Sequence, residues 1–150
     1  MILQRRGTQL AVETLLLLAL EPQGKCCCVR ELATQLGAQA TYLAKIVRDL
    51  TRLGFVRGVR GPGGGVRLAR PATEINLWEV VNAIEAMGKF ERCVLRPDPC
   101  SDLHLCPLHD GWSPIREQIT ELLKSRTLSE LASAAQTNGT LGLKLAAGGS

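Results

Sequence analysis

The chain begins with a helix-length block that has almost no polar face: from about Thr8 to Leu20 only threonines, Gln9 and Glu13 interrupt the apolar residues. Such a block is predicted to be a well-buried helix, capped by Thr8 and stopped at Glu21-Pro22. After a short loop, VRELATQLG sets Val29, Leu32, Ala33 and Leu36 at helical spacing and ends on Gly37. A second helix follows almost at once, with Leu43, Ile46, Val47 and Leu50 apolar and Leu53 one turn later. Two short helices about a tight turn fit a helix-turn-helix.

Beyond Gly54 the period shortens from helical to alternating. FVRGVR and VRLAR set apolar residues against basic or small ones, as half-buried strands do, and Gly61-Pro62-Gly63-Gly64-Gly65 between them reads as a turn. Helix, helix and hairpin is the order of a winged helix. Helical spacing then returns. Asn76 with Glu79 resembles a capping box ahead of the stripe Leu77, Val80, Val81, Ile84 and Met87, which ends before Gly88. Residues 90–113 read as an irregular, proline-containing loop. Ser113-Pro114 reads as a cap followed by proline at the first helical position, opening a helix with Ile115, Ile119, Leu122 and Leu123 apolar. Thr127-Leu128-Ser129-Glu130 is a capping box for a last short helix. From about Asn138 the tail is small, polar and glycine-containing, and is expected to be disordered.

The fold class expected is mainly α: a winged helix-turn-helix with a small β-hairpin wing over residues 1–72, a loop and C-terminal dimerisation helices over 73–137, and a tail over 138–150. The helices after residue 76 carry more apolar surface than a small wing domain covers, and a homodimer is the economical way to bury it.

Charge turns this architecture toward a partner. The formal net charge is +4, but Lys25–Arg70 holds nine basic residues against two acidic ones and so carries +7, leaving −3 for the rest. Such asymmetry points to a polyanion for the first half, against the bland alternative of a solvated basic face. The second helix of the motif would enter a major groove of double-stranded DNA. Gln39 and Thr41 suit base edges, Lys45 and Arg48 suit phosphates, and Tyr42 either joins them or packs between helices. At the wing, Arg60 and Arg67 flank the glycines, and a tip lacking Cβ atoms at Gly63 and Gly64 can approach a phosphate or enter the minor groove. No nucleotide-binding loop is present, because no Gly-Lys-Ser/Thr follows the glycines. Neither histidine sits in an acid–base or nucleophile motif, so an enzyme is not expected. The apolar run Leu15–Leu20 is too short to span a membrane, Glu13 interrupts an export signal, and a cytoplasmic protein is expected.

The chemistry lies in the cysteines. Cys93, Cys100, Cys106 and His109 are spaced Cys-x6-Cys-x5-Cys-x2-His in a proline-rich, charged loop unlike a core segment. Soft thiolates and an imidazole can hold an iron–sulfur cluster. A Cys3His zinc site would use the same ligands, though zinc sites more often pair cysteines at shorter gaps. A thiol–disulfide switch without metal is the third alternative. Cys26-Cys27-Cys28 is separate: adjacent residues point in different directions, so the three cannot easily serve one metal. They read as partly buried small residues, with a redox role the sharper alternative.

Taken together, VRELATQLG, ATYLAKIVRDLTRLGFVRGVRGPGGGVRLAR and the Cys93…Cys100…Cys106-Pro-Leu-His109 loop resemble the Rrf2 family of bacterial transcription regulators, over about residues 1–134. The likeness is to its iron–sulfur-assembly and nitric-oxide-sensing branches. It implies a winged-helix homodimer on a roughly palindromic operator, a long C-terminal helix crossing between subunits, and a cluster ahead of that helix. Cluster loss, or its reaction with oxidants or nitric oxide, would change DNA affinity. By the same resemblance Cys93, Cys100 and Cys106 are the cysteine ligands and His109 completes the site, which favours [2Fe-2S] over [4Fe-4S]. Other members recruit a residue from the partner's first helix, for which Glu13 is the nearest candidate. This chain departs from the pattern in its x6 gap, in Ala44 where the assembly branch has a glutamate, and in Ser113-Pro114. The alternative expectation is a zinc-stabilised or clusterless, thiol-switching winged-helix regulator.

Overall fold

The computed structural model describes residues 5–85, 95 and 106–139. Six helices and one hairpin follow in the order α1 (Arg6–Leu20), α2 (Val29–Leu36), α3 (Ala40–Arg52), β1 (Val56–Val59), β2 (Gly65–Leu68), α4 (Leu77–Glu85), α5 (His109–Lys124) and α6 (Leu128–Asn138). The apolar block becomes α1, which packs against α2, α3, α4, α6 and β2 and so forms the centre of the core. Leu10, Leu15 and Leu16 are buried on different sides of it, as an all-round apolar helix requires. Thr8 does not cap it. Position 5 is the N-cap, and Thr8 lies one turn inside, buried, with its hydroxyl donating to the Glu85 carboxylate at the end of α4. A threonine that finds a partner across the core is taken out of local capping.

Gly37 ends α2 in the left-handed conformation, φ 61°, where the Ala38 N–H closes the helix on the Ala33 carbonyl at 2.9 Å. Gln39 then caps α3, so the turn between the helices is only three residues long. Leu43, Ile46, Val47 and Leu50 bury one face of α3. The expected continuation to Leu53 fails: it caps the helix end and is exposed. β1 and β2 pair antiparallel, Val56 opposite Leu68 and Val59 opposite Gly65. A third extended stretch joins them, because Cys27 exchanges two 2.9 Å backbone hydrogen bonds with Val66. The wing is thereby tied to the entrance of α2.

A 3₁₀ turn at Ala72–Glu74 leads into α4. The Glu79 N–H donates to Asn76 Oδ1 at 2.9 Å, and the Asn76 side-chain amide returns to Glu79 Oε1 at 3.1 Å. The return bond comes from the side chain rather than the cap's backbone. The expected end of this stripe at Met87 and Gly88 lies outside the described residues.

The loop expected over 90–113 ends earlier than its prolines imply. α5 starts at His109, and Pro114 sits inside it rather than at its first turn. Its missing N–H forgoes the bond to the Asp110 carbonyl, one bond in a sixteen-residue helix. The first turn is already formed, with the Trp112 N–H on the Leu108 carbonyl at 2.8 Å.

The capping box of α6 is present in both directions: Glu130 N–H to Thr127 Oγ1 at 3.2 Å, and Thr127 N–H to Glu130 Oε2 at 3.0 Å. Bonds from Leu77 N–H to the Arg126 carbonyl and from Leu128 N–H to the Ile75 carbonyl stitch the starts of α4 and α6 together. Leu128, Ala132 and Ala135 then lay α6 along α1. Asn138 still belongs to this helix, and residues 140–150, expected as tail, lie outside the described residues. Among the described residues no helix is long and apolar enough to cross a membrane.

Candidate DNA interface and cysteine loop

The buried face of α3 fixes the opposite one toward solvent. Gln39, Thr41, Tyr42, Lys45 and Arg48 are all exposed. Thr41, Lys45 and Arg48 follow at i, i+4 and i+7, so they form one stripe along the helix. Asp49 on the flank pairs with Arg52 at 3.4 Å, and among the described residues no carboxylate pairs with Lys45 or Arg48. Tyr42 packs between helices, the second of its two expected roles, while staying partly open to solvent. It is 42% exposed, and its hydroxyl lies against Gly7 in a cleft of about 490 Å³ between α3 and the start of α1.

At the wing, the glycines are needed by the turn itself. Gly61 and Gly63 have φ of 97° and 71°, and a Cβ on Gly64 would stand 2.3 Å from the Val59 carbonyl oxygen. Gly65, φ 145°, would place a Cβ 2.4 Å from the Cys27 carbonyl oxygen, so its bareness lets Cys27 dock on β2. Arg60 is exposed beside the tip. Arg67 does not: its guanidinium donates to the Gly24 carbonyl at 3.3 Å and braces the wing against the loop before α2. Arg57, opposite Arg67 in the ladder, is exposed and was not singled out by the sequence. Its signal was the alternation itself, which puts Arg57 on the outer face of β1. With Lys25, Arg67 and Arg70 it lines an open cleft of about 580 Å³ at the wing base.

Of the four loop donors, Cys93 and Cys100 lie outside the described residues. Cys106 and His109 stand three residues apart at the entrance to α5, Cys106 just ahead of the helix and His109 its first residue. The His109 N–H donates to the Cys106 carbonyl at 2.9 Å, and the Leu108 N–H donates to Cys106 Sγ at 3.3 Å. The sulfur is partly exposed and His109 is buried. An N–H on sulfur, with the aligned dipole of α5 behind it, suits a sulfur carrying negative charge, as a metal-bound one does. Among the described residues no three metal-binding side chains converge. Glu13 lies half-buried on α1. Burial raises its carboxyl above the ordinary carboxylate value, and the nearby Arg6 only partly offsets this.

The cysteine triplet separates into two kinds. Cys27 is buried, and desolvation pushes its thiol up to about 11. Cys26 is partly exposed and Cys28 fully so.

The Rrf2 family, described as an iron-dependent transcriptional regulator, matches residues 5–134. Protein aau3 of Rhizobium meliloti (strain 1021) is 36% identical over 118 residues, covering 77% of this chain and 77% of its own length. The HTH-type transcriptional regulator IscR of Pectobacterium carotovorum subsp. carotovorum (strain PC1) is 32% identical over 121 residues, 81% of this chain and 73% of its own. Among solved structures, CymR, the global cysteine regulator of B. subtilis, superposes with a TM-score of 0.74 at 22% identity, over 87% of this chain and 95% of that one. The T. potens IscR structure gives 0.70 at 20% identity, over 89% of each. Both are likenesses of fold, and both share the helix–helix–hairpin order.

Proposed function

Because this chain belongs to the Rrf2 family, and is therefore a DNA-binding transcription regulator rather than an enzyme, we propose that it is a homodimer whose DNA affinity follows the state of an iron–sulfur cluster. Cys93, Cys100 and Cys106 would hold the cluster, with His109 as fourth ligand and [2Fe-2S] as the favoured form over [4Fe-4S]. The observation that carries this reading is the Cys106–His109 turn: a half-buried sulfur just ahead of α5 accepting an N–H, and a buried imidazole on the first residue of that helix. Both donors fit such a group in type and setting. When bound, the group supplies a centre that reacts with oxidants or nitric oxide.

The chain's own residues do the rest. Cys106 and His109 anchor the loop to α5, so a change in the loop is felt at the start of that helix. α5 in turn presents Ile115 at 50% and Leu122 at 58% exposure, with Ile119 between them, while Leu123 faces the protein body. An apolar stripe of this kind is closed by its two-fold copy. Residues 73–137 would thus hold the cluster and the dimer contact, and 1–72 the DNA reader. In each subunit Gln39 and Thr41 would meet base edges, with Tyr42 beside them. Lys45, Arg48 and Arg57 would meet phosphates, and Arg60 with Gly63 and Gly64 would lie along the adjacent minor groove. A two-fold reader calls for a roughly palindromic operator.

Anaerobic purification tests the cofactor. The expected product is brown, with visible absorption and matching iron and sulfide. A colourless protein holding stoichiometric zinc would overturn the reading, and a colourless metal-free one would leave the thiol-switching alternative. Operator binding by holo and apo forms at one salt concentration then tests sensing: equal affinities would sink it.

A further inference from the structure

The Cys26-Cys27-Cys28 triplet is left unused by the cluster and by the DNA surface. Its geometry is specific. Cys27 is held in extended backbone by two 2.9 Å hydrogen bonds to Val66, and its side chain is 7% exposed, turned into the core. Side chains alternate across an extended stretch. Cys26 and Cys28 therefore leave from the opposite face, toward solvent, and both are free thiols. Close docking at Gly65, where a Cβ would meet the Cys27 carbonyl at 2.4 Å, keeps the stretch from rotating.

We propose that Cys26 and Cys28 form a two-coordinate site for a soft monovalent cation, Cu(I) being the natural one, distinct from the loop at 93–109. Separation decides against a disulfide. Residues two apart in a strand have Cα atoms roughly 6.6 Å apart and parallel Cβ directions. A disulfide needs Cβ atoms about 3.8 Å apart and converging. With the zinc–thiolate length of about 2.3 Å as a guide, two metal–sulfur bonds placed end to end need sulfurs roughly 4–5 Å apart, which the two side chains reach by turning toward each other about χ1 without moving the backbone. The donor set decides the metal. Zinc requires four ligands, and no third His, Cys, Asp or Glu gathers with these two among the described residues. Two thiolates alone select a soft ion. On binding, each thiol releases its proton to solvent and each sulfur bonds the cation. Two neutral thiols become a group of charge −1, with no electron transferred.

Cys28 is the N-cap of α2, the first helix of the helix-turn-helix, and the segment is bonded to the wing strand. Resting on the DNA reading above, the added negative charge weakens phosphate binding.

The test uses the full chain carrying Cys93→Ser, Cys100→Ser and Cys106→Ser, which removes the loop's sulfurs. Anaerobic titration with Cu(I) against a bathocuproine disulfonate competitor should give one copper per chain, two protons released per copper, and an X-ray absorption spectrum with two sulfur neighbours. Cys26→Ser and Cys28→Ser should each abolish retention, and circular dichroism should show both folded. No retained copper, or retention unchanged in either variant, overturns the site. Loading should also lower affinity for duplex DNA several-fold at fixed salt. Copper retained with unchanged affinity overturns the coupling alone, while failure of both this chain and the cluster-bearing parent chain to bind DNA without copper indicts the DNA reading instead.

Discussion

At the scale of single residues, the glycines of the wing and the triplet cysteine show how backbone and burial set chemistry. Gly63 has φ 71° with open space around it, so Gly63→Ala meets only the left-handed backbone cost of about 1–2 kcal/mol. Gly65→Ala meets the positive φ and a backbone collision with Cys27, which no rotamer relieves. Urea denaturation should rank Gly65→Ala as clearly the less stable, and equal midpoints would contradict the docking of Cys27 on β2. Burial acts on the thiols as well. Cys27, pushed up to about 11, stays protonated at neutral pH, so brief iodoacetamide treatment of native protein should label Cys26 and Cys28 and spare Cys27. Peptide mass mapping reads this directly. Glu13 gives a pH dependence of known sign. Its folded pKa is raised above the unfolded one, so the native state binds the extra proton. Its contribution to stability is greatest below the ordinary carboxylate value and is lost as pH rises through the raised one. Glu13→Gln should flatten that fall in denaturation midpoints measured across the range, and an unchanged slope would assign it to another group.

At the scale of elements, legibility followed locality. Gly37, the Asn76–Glu79 cap and the Thr127–Glu130 box were readable because each is satisfied within a few residues, and all three stand in the structure. Thr8 was misread because its partner, Glu85, is seventy-seven residues away. The start of α5 was misread because proline's local preference for a first turn lost to a helix already begun at His109. The exposed side of α3 was legible from period alone, since four buried positions dictate the exposed ones. The docking of Cys27 on β2 was not legible, because a single pair of backbone bonds leaves no periodic trace. The stripe on α3 separates two roles that mutation can tell apart. Lys45→Ala and Arg48→Ala should each weaken operator binding across all sequences and reduce the salt slope by about 1. Gln39→Ala should instead change discrimination at one base pair, by about 1–3 kcal/mol, with little change of slope. Competition assays over a salt series distinguish the two, and a uniform loss for Gln39→Ala would remove it from the base-reading group.

At the scale of the whole molecule, the open question is what closes the apolar side of α5. Among the described residues α5 packs against α4, and Leu123 is buried, while Ile115 and Leu122 remain half-exposed or more. Fully burying such a side chain contributes about 1.5–3 kcal/mol, and each is already partly covered, so about half of that remains to be gained per residue. A two-fold contact uses each residue twice, so Ile115, Ile119 and Leu122 together supply several kcal/mol. Replacing Ile115 and Leu122 by Asp should therefore convert the proposed dimer to a folded monomer in sedimentation experiments, since neither residue supports the core. Helical circular dichroism should be retained. Operator affinity should fall toward that of a single half-site, because one winged helix then binds without its covalently independent but spatially fixed partner. The cluster gives an internal control. If Cys106 and His109 act from the start of α5 within one subunit, the monomer should still bind iron and sulfide. Loss of both together would mean that the partner subunit completes the cluster site, and Glu13 is then the first residue to substitute.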